Sequence, residues 1–148
     1  MKKRRIVLIA ILGITLIAIS AVVGSSFFVD SQASQLTARL SKAGLKTTLL
    51  DANRDVFFIP LGARRYSIVD EWIRIFVYPS SACARADASR MDSSGSTYNE
   101  IGYSVQLSWA KSGPHFYIDG NLIIFYGGSN SILLNTFETL FGPQFAGY

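Results

Sequence analysis

Two residue types that often carry out catalysis occur once each in this sequence, as Cys83 and His115. A thiolate beside an imidazole can act as a nucleophile with its general base, but the residues around Cys83 match no signature of a cysteine enzyme. A single cysteine and a single histidine exclude an intramolecular disulfide, a cysteine-based zinc site and a histidine-based metal cluster. Because Cys83 stands between two alanines, we expect its thiol to be buried. We expect His115 at the start of a strand, hydrogen-bonded or half exposed.

Carboxylates are the second group that could carry chemistry. Asp87 and Asp92 lie on or near one predicted helix, and Glu100 follows it. The loop after Asp92 lacks the alternating acidic ligands and the closing glutamate of a calcium loop, so a solvated helix end is the favoured interpretation. An acidic pair acting in hydrolysis stays open, because the sequence does not give the separation of the two carboxylates. The chain has no phosphate-binding glycine loop, nucleophile elbow or zinc-binding helix motif, so no metal or cofactor is predicted.

Aromatic side chains are the main candidates for binding. The chain has ten Phe, seven Tyr and two Trp, and most of them must form the core because a small domain buries little surface without large side chains. Period-two alternation places four side chains on one face of a predicted strand: Trp72, Arg74, Phe76 and Tyr78. If no helix covers that face, it is the candidate binding surface.

Basic residues are concentrated at the N-terminus, where residues 2–5 read Lys-Lys-Arg-Arg. Fourteen basic residues minus ten acidic ones give the net charge of +4, so these four residues account for all of it. The remainder of the chain is neutral. A nucleic-acid interface requires a basic face to neutralise phosphates, and nucleic acid is therefore excluded as a partner.

Residues 6–29 form an uncharged run, apolar for most of its length, behind this basic flank. About twenty helical residues cross the ~30 Å hydrocarbon layer of a bilayer, and the cations of residues 1–5 keep that flank in the cytoplasm. The sequence thus predicts a membrane anchor over 6–29 and an extracytoplasmic domain over 31–148. The alternative is a cleavable signal peptide, which would leave the same domain secreted.

The predicted elements of the domain are a helix over 31–43, several short strands, a helix after Pro79 and a last helix over 131–141. Asp70–Glu71 and Asp119–Gly120 are expected to be hairpin turns, with Gly120 at positive φ. This pattern predicts an α+β fold of two layers, an antiparallel sheet with helices on one face. Residues 70–77 match residues 119–126, and a helix follows each, so the domain is interpreted either as two pseudo-repeats or as two common hairpin–helix units.

The C-terminal half carries a distinctive set of motifs, at Trp109, 114–117, 120–123, 126–128 and the Gly-Pro-Gln-Phe-Ala-Gly of 142–147. They resemble the C-terminal half of a group of small bacterial envelope proteins without an assigned function. The resemblance covers most of the chain after Gly44. It departs from the group at Asp70–Glu71, where Asn-Gly is common. It implies an envelope location and a fold, and it transfers no catalytic residue.

These observations predict a membrane-anchored, non-enzymatic binding or interaction module at the cell envelope. Two alternatives stay open. One is an envelope hydrolase that uses Cys83, His115 or an acidic pair such as Asp87 and Asp92. The other is a subunit of a larger envelope complex, which also requires an envelope protein as partner.

Overall fold

The computed structural model describes residues 24–52, 58, 60–109 and 112–148. Residues 1–5 and most of the predicted membrane segment 6–29 lie outside this part of the chain. Among the described residues, no helix combines the length and the apolar composition that crossing a bilayer requires. Between residues 52 and 60 the structure describes Phe58, which is buried and belongs to no strand.

The first helix, α1, covers 24–42 of the described residues. It includes most of the helix predicted over 31–43 and extends back into residues 24–29, which the sequence assigns to the membrane segment. A buried stripe at helical spacing faces the domain: Val29, Ala33, Leu36 and Leu40. The core of the domain therefore includes Val29, which the sequence places in the membrane segment.

Gly44 ends α1 directly after the helix predicted over 31–43. Its φ of 85° lies in the left-handed region that glycine adopts without steric cost. The Leu45 amide donates to the Leu40 carbonyl over 2.9 Å, and the Gly44 amide donates to Ser41 over 3.0 Å. These two bonds are the Schellman pattern, which satisfies carbonyls that the helix end leaves without partners.

The described residues form a six-stranded sheet and a separate two-stranded hairpin, with all pairs antiparallel. The order across the larger sheet is β1-β2-β3-β7-β6-β8, and β4 pairs with β5. The strands are β1 (Thr47–Asp51), β2 (Gly62–Ile68), β3 (Glu71–Val77), β4 (Thr97–Glu100), β5 (Tyr103–Gln106), β6 (His115–Asp119), β7 (Leu122–Tyr126) and β8 (Ala146–Gly147). The remaining helices are α2 (Ser81–Ala88) and α3 (Ser131–Phe141). The α+β class with an antiparallel sheet is thus confirmed.

Helices pack on both faces of the large sheet, so the expected two-layer arrangement with helices on one face is wrong. On the first face, α1 and α3 cover Ile75, Ile124 and their neighbours. On the second face, α2 and the β4–β5 hairpin cover Phe76, Phe116 and Ile123. The reason is visible in β3 and β7, which are apolar on both sides and therefore need cover on both faces.

The two central hairpins turn at positions other than those expected. Ile68 pairs with Glu71, so the first turn is Val69–Asp70 instead of Asp70–Glu71. Asp119 pairs with Leu122, so the second turn is Gly120 with Asn121 instead of Asp119–Gly120. Gly120 has the expected positive φ, at 58°.

The similarity between the two halves of the domain is confined to these hairpins. β3 and β7 pair at the centre of the sheet, with Ile75 opposite Ile124. The helices that follow them lie on opposite faces of the sheet, whereas a two-fold axis relating the hairpins would place both helices on the same face. The two halves therefore share a hairpin, and they do not share the hairpin–helix unit.

Candidate functional site

Cys83 and His115 lie on opposite sides of the sheet. Cys83 is exposed in the first turn of α2, with its Sγ 3.3 Å from the Ser80 hydroxyl, so the expected burial of this thiol is wrong. His115 is buried on the first face, where its Nδ1 lies 2.7 Å from the Gln144 side-chain oxygen and its ring stacks on Tyr126. The layer of strands between the two side chains prevents a nucleophile–base pair.

The carboxylate of Asp87 is buried and has a structural role. The prediction that it lies at a solvated helix end is therefore wrong. Asp87 is only 5% exposed and accepts hydrogen bonds from the hydroxyls of Tyr78, over 2.7 Å, and Tyr98. Burial and then the bond to Asp87 raise the pKa of Tyr78, which keeps its hydroxyl protonated as a donor. Arg90 contacts both Asp87 and Glu100. The cluster joins α2 to the β4–β5 hairpin.

Asp92 organises the loop that precedes β4. Its Oδ1 accepts the amides of Ser96 over 2.8 Å and Thr97 over 3.0 Å, and its Oδ2 accepts the Ser94 hydroxyl over 3.0 Å. These bonds, led by the one from Thr97, hold the pKa of Asp92 below its usual value. Asp87 and Asp92 each have their own set of structural partners, and the structure does not bring them together as an acidic pair.

The predicted binding face of β3 divides in two. Phe76 and Tyr78 are 0% and 1% exposed beneath α2, so they belong to the core. Trp72 is 39% exposed and Arg74 is half-buried. The division arises because α2, which is only eight residues long, packs on β6 and β7. It reaches the chain only just after β3, where Tyr78 bonds to Asp87, and leaves the beginning of the strand uncovered.

β2 contributes two residues that the sequence did not single out. Arg65 stands opposite Arg74 in the register, and Ser67 stands opposite Trp72. The guanidinium carbons of Arg65 and Arg74 lie 5.8 Å and 5.7 Å from the centre of the Trp72 ring, within the range of cation–π contacts. We call the set of Arg65, Ser67, Trp72 and Arg74 the Trp72 surface.

Neighbouring side chains hold the Trp72 surface in place. The Trp72 ring packs on the buried Phe125 ring with centroids 5.5 Å apart. Arg65 forms an ion pair of 2.5 Å with Asp51 on the edge strand β1. An exposed indole fixed from below by an aromatic core and flanked by two guanidinium groups has the composition of a protein-binding hot spot.

A cleft of about 350 Å³ adjoins this surface at the end of the sheet where β3 begins. We call it the turn cleft; it is lined by Asp70, Glu71, Trp72, Ser112, Tyr126 and residues 127–129. The Tyr126 hydroxyl donates to Glu71 and accepts the Asn130 amide over 2.9 Å. The Ser112 hydroxyl donates to the carbonyl of Gly127 over 2.7 Å.

Comparison of the chain with protein-family models, with curated proteins and with solved structures found no match. Function must therefore be argued from geometry. Within the part of the chain that the structure describes, no group of three or more histidine, cysteine, aspartate or glutamate side chains could hold a metal ion. The Trp72 surface and the turn cleft, which share Trp72, are the site that this geometry supports.

Proposed function

We propose that this chain is a membrane-tethered binding module whose domain lies outside the cytoplasm and contacts a protein partner of the cell envelope through the Trp72 surface. The observation that carries the proposal is the exposed Trp72 ring held between Arg65 and Arg74. Trp and Arg are the residue types that contribute most to protein–protein affinity when they anchor the centre of an interface. Such a module can also be a subunit of a larger envelope complex.

The candidate catalytic residues support binding over hydrolysis. Cys83 and His115 are separated by the sheet. Asp87 is bonded to two tyrosines and Asp92 to its own loop. The hydrolase alternative needs a nucleophile or an acidic pair, and each of these residues has a structural partner or lies apart from its supposed partner.

The location rests on the first residues of the sequence. The basic flank of residues 1–5 and the uncharged run of residues 6–29 support an anchor with its N-terminus in the cytoplasm. A reporter that is active only outside the cytoplasm, fused after Tyr148, should therefore be active. Replacing residues 2–5 with neutral ones should lower that activity. An inactive fusion of the well-expressed wild-type chain would contradict the outward placement.

The binding role is tested by photo-cross-linking in intact cells. A photoreactive amino acid replaces Ser67, which stands opposite Trp72 and leaves the ring itself unchanged. The matched control carries it at Thr139, an exposed position of α3 on the other side of the sheet. We expect a discrete cross-linked product from position 67 and none of the same size from position 139. The same product from both positions, or none from position 67, would contradict the proposal.

A further inference from the structure

The turn cleft contains acceptor groups and negative charge, and none of the described residues that line it is a cation. Asp70 and Glu71 supply two carboxylates, Trp72 supplies an indole, and residues 127–129 supply backbone. Its volume of about 350 Å³ is at the small end of the range for ligand pockets, roughly 300–1,000 Å³. A cleft of this size accommodates one side chain or one small organic group.

Glu71 is held in a defined orientation by Tyr126. Burial, and next the hydrogen bond to Glu71, raise the pKa of Tyr126, so its hydroxyl stays protonated and donates to the carboxylate. The Asn130 amide fixes the same hydroxyl from the other side over 2.9 Å. The carboxylate is thereby positioned before any ligand arrives, which lowers the entropic cost of binding.

Gly128 brings the backbone directly against this pair. A Cβ added at Gly128 would lie 2.0 Å from Glu71 Oε2 and 2.3 Å from the Tyr126 hydroxyl oxygen. Any larger residue would displace the carboxylate or the hydroxyl. This wall of the cleft therefore depends on glycine.

From this cavity, its two carboxylates and its indole we infer that the turn cleft binds an alkylammonium group, such as the side chain of a lysine on the partner. Carboxylates form strong charge-assisted hydrogen bonds with ammonium groups. The Trp72 ring, over which Arg65 and Arg74 already lie, adds an apolar wall for the methylene groups of a lysine side chain. The inference deepens the proposed function, because Trp72 belongs to both the cleft and the Trp72 surface. The inference specifies the chemical group, an alkylammonium, that the partner places in the turn cleft.

The position of the cleft fits a partner that approaches from outside the membrane. The start of α1 packs at the opposite end of the sheet, where a Cβ added at Gly62 would lie 3.2 Å from the Val29 side chain and Asp30 pairs with Arg64. Gly62 stands opposite Val77, six residues along β3 from Glu71. At about 3.3 Å per residue the two ends are roughly 20 Å apart, so an anchor that leads into α1 places the cleft on the far side of the domain.

The test is a binding titration of the full chain in detergent micelles. Binding is measured from the backbone amide NMR signals of Glu71, Gly127 and Gly128. The probes are a lysine derivative acetylated at its N-terminus and amidated at its C-terminus, and the matching norleucine derivative, which lacks the ammonium group. Glucosamine and N-acetylglucosamine form a second pair, which distinguishes a sugar-borne amine from a peptide-borne one. Sodium chloride and calcium chloride at equal ionic strength control for screening and for metal binding.

We expect saturable shifts with the lysine derivative, or with glucosamine if the amine is sugar-borne, and no comparable shifts with the uncharged members of the pairs. Glu71→Gln, which keeps an acceptor for Tyr126, should weaken binding roughly tenfold or more. Glu138→Gln, outside the cleft, should leave binding unchanged. Equal binding of charged and uncharged probes, the same shifts with either salt, or an unaffected Glu71→Gln would overturn the inference. Cross-linking from position 67 measures the proposed function independently, so the two failures are distinguishable.

Discussion

The two central hairpins have turns of the same length, two residues, but differ in what their residues do. In β6–β7, all five residues of β7 are buried and the turn has glycine where φ is positive. In β2–β3, Trp72 is exposed, and the turn has Val69 at a φ of 47° and Asp70 at a φ of 62°. A β-branched residue with positive φ is a steric outlier. Both hairpins thus supply core, but only β2–β3 also presents large side chains to the surroundings.

This difference shows how a sheet combines stability with a binding site. β7 lies at the centre of the sheet and packs on both faces, so each of its side chains contributes to the core. β2 and β3 are buried along the first face, but on the second face they share the core at one end only. At the other end they present Arg65, Trp72 and Arg74, with the turn cleft alongside.

The largest effect on stability is expected at β6–β7, the buried hairpin of the pair. Phe125 contacts the rings of Phe116, Trp72 and Trp109 and is 6% exposed. Phe125→Ala leaves a cavity and should lower the free energy of unfolding by about 3–5 kcal/mol. Denaturant melts of the full chain in detergent measure this change. A loss below about 1 kcal/mol would show that β7 is not the structural member of the pair.

Gly120→Val should have the next largest effect. No heavy atom lies within 4 Å of a Cβ built at Gly120, so the cost comes from forcing a β-branched residue to a φ of 58°. We expect a loss of about 1–3 kcal/mol in the same melts. The control is Gly24→Val in α1, which also has open space around a Cβ but lies in a helix. Equal effects at the two glycines would contradict the role of φ.

Changing the turn of the β2–β3 hairpin, the exposed hairpin of the pair, should raise the free energy of unfolding. Replacing Val69–Asp70 with Asn-Gly supplies the residues that tolerate positive φ in a two-residue turn. The double variant should be more stable by roughly 1 kcal/mol, since each left-handed residue other than glycine carries a steric cost of that order. Binding of the lysine derivative to the cleft should fall, because Asp70 is one of its carboxylates. A destabilised variant would mean that the turn is not strained.

The sequence predicts much of this architecture because period-two alternation, glycine and proline act locally. The strands β3 and β7, Gly44 at the end of α1 and the positive φ of Gly120 follow from such signals. Of the Trp72 surface, the sequence predicts Trp72 and Arg74 but not Arg65 and Ser67. Arg65 reaches Trp72 through the register between β2 and β3, which pattern does not specify, and Phe76 is lost to the core because α2 packs on the second face.

Other differences have similar physical causes. The turn at Val69–Asp70 was missed because tertiary pairing imposes a backbone that valine disfavours. The start of α1 lies in the segment that the sequence assigns to the membrane anchor, because its apolar residues continue the composition of the preceding segment. The turn cleft joins Glu71 to residues 127–129, more than fifty positions apart, and only the pairing of β3 with β7 brings them together.

A smaller effect concerns Tyr126, which belongs to the buried hairpin but also lines the cleft. Burial and the bond to Glu71 raise its pKa above the ordinary value of 10.0. The unfolded chain therefore releases this proton first, and the stabilisation present below about pH 10 is lost as the pH rises further. Tyr126→Phe should make the fall in unfolding free energy above about pH 10 less steep. Parallel pH profiles for wild type and variant would contradict the shared role of this hydroxyl.

Trp72→Ala tests the central claim most directly, because the account assigns Trp72 to binding and not to the core. The variant is combined with the photoreactive residue at position 67, and the measurement is the yield of cross-linked product in intact cells beside a denaturant melt of the same chain. We predict a yield lowered at least tenfold with a loss of stability of about 1–2 kcal/mol, well below that of Phe125→Ala. An unchanged yield from the stable variant, or a collapse in stability as large as that of Phe125→Ala, would show that the exposed hairpin is not the binding one.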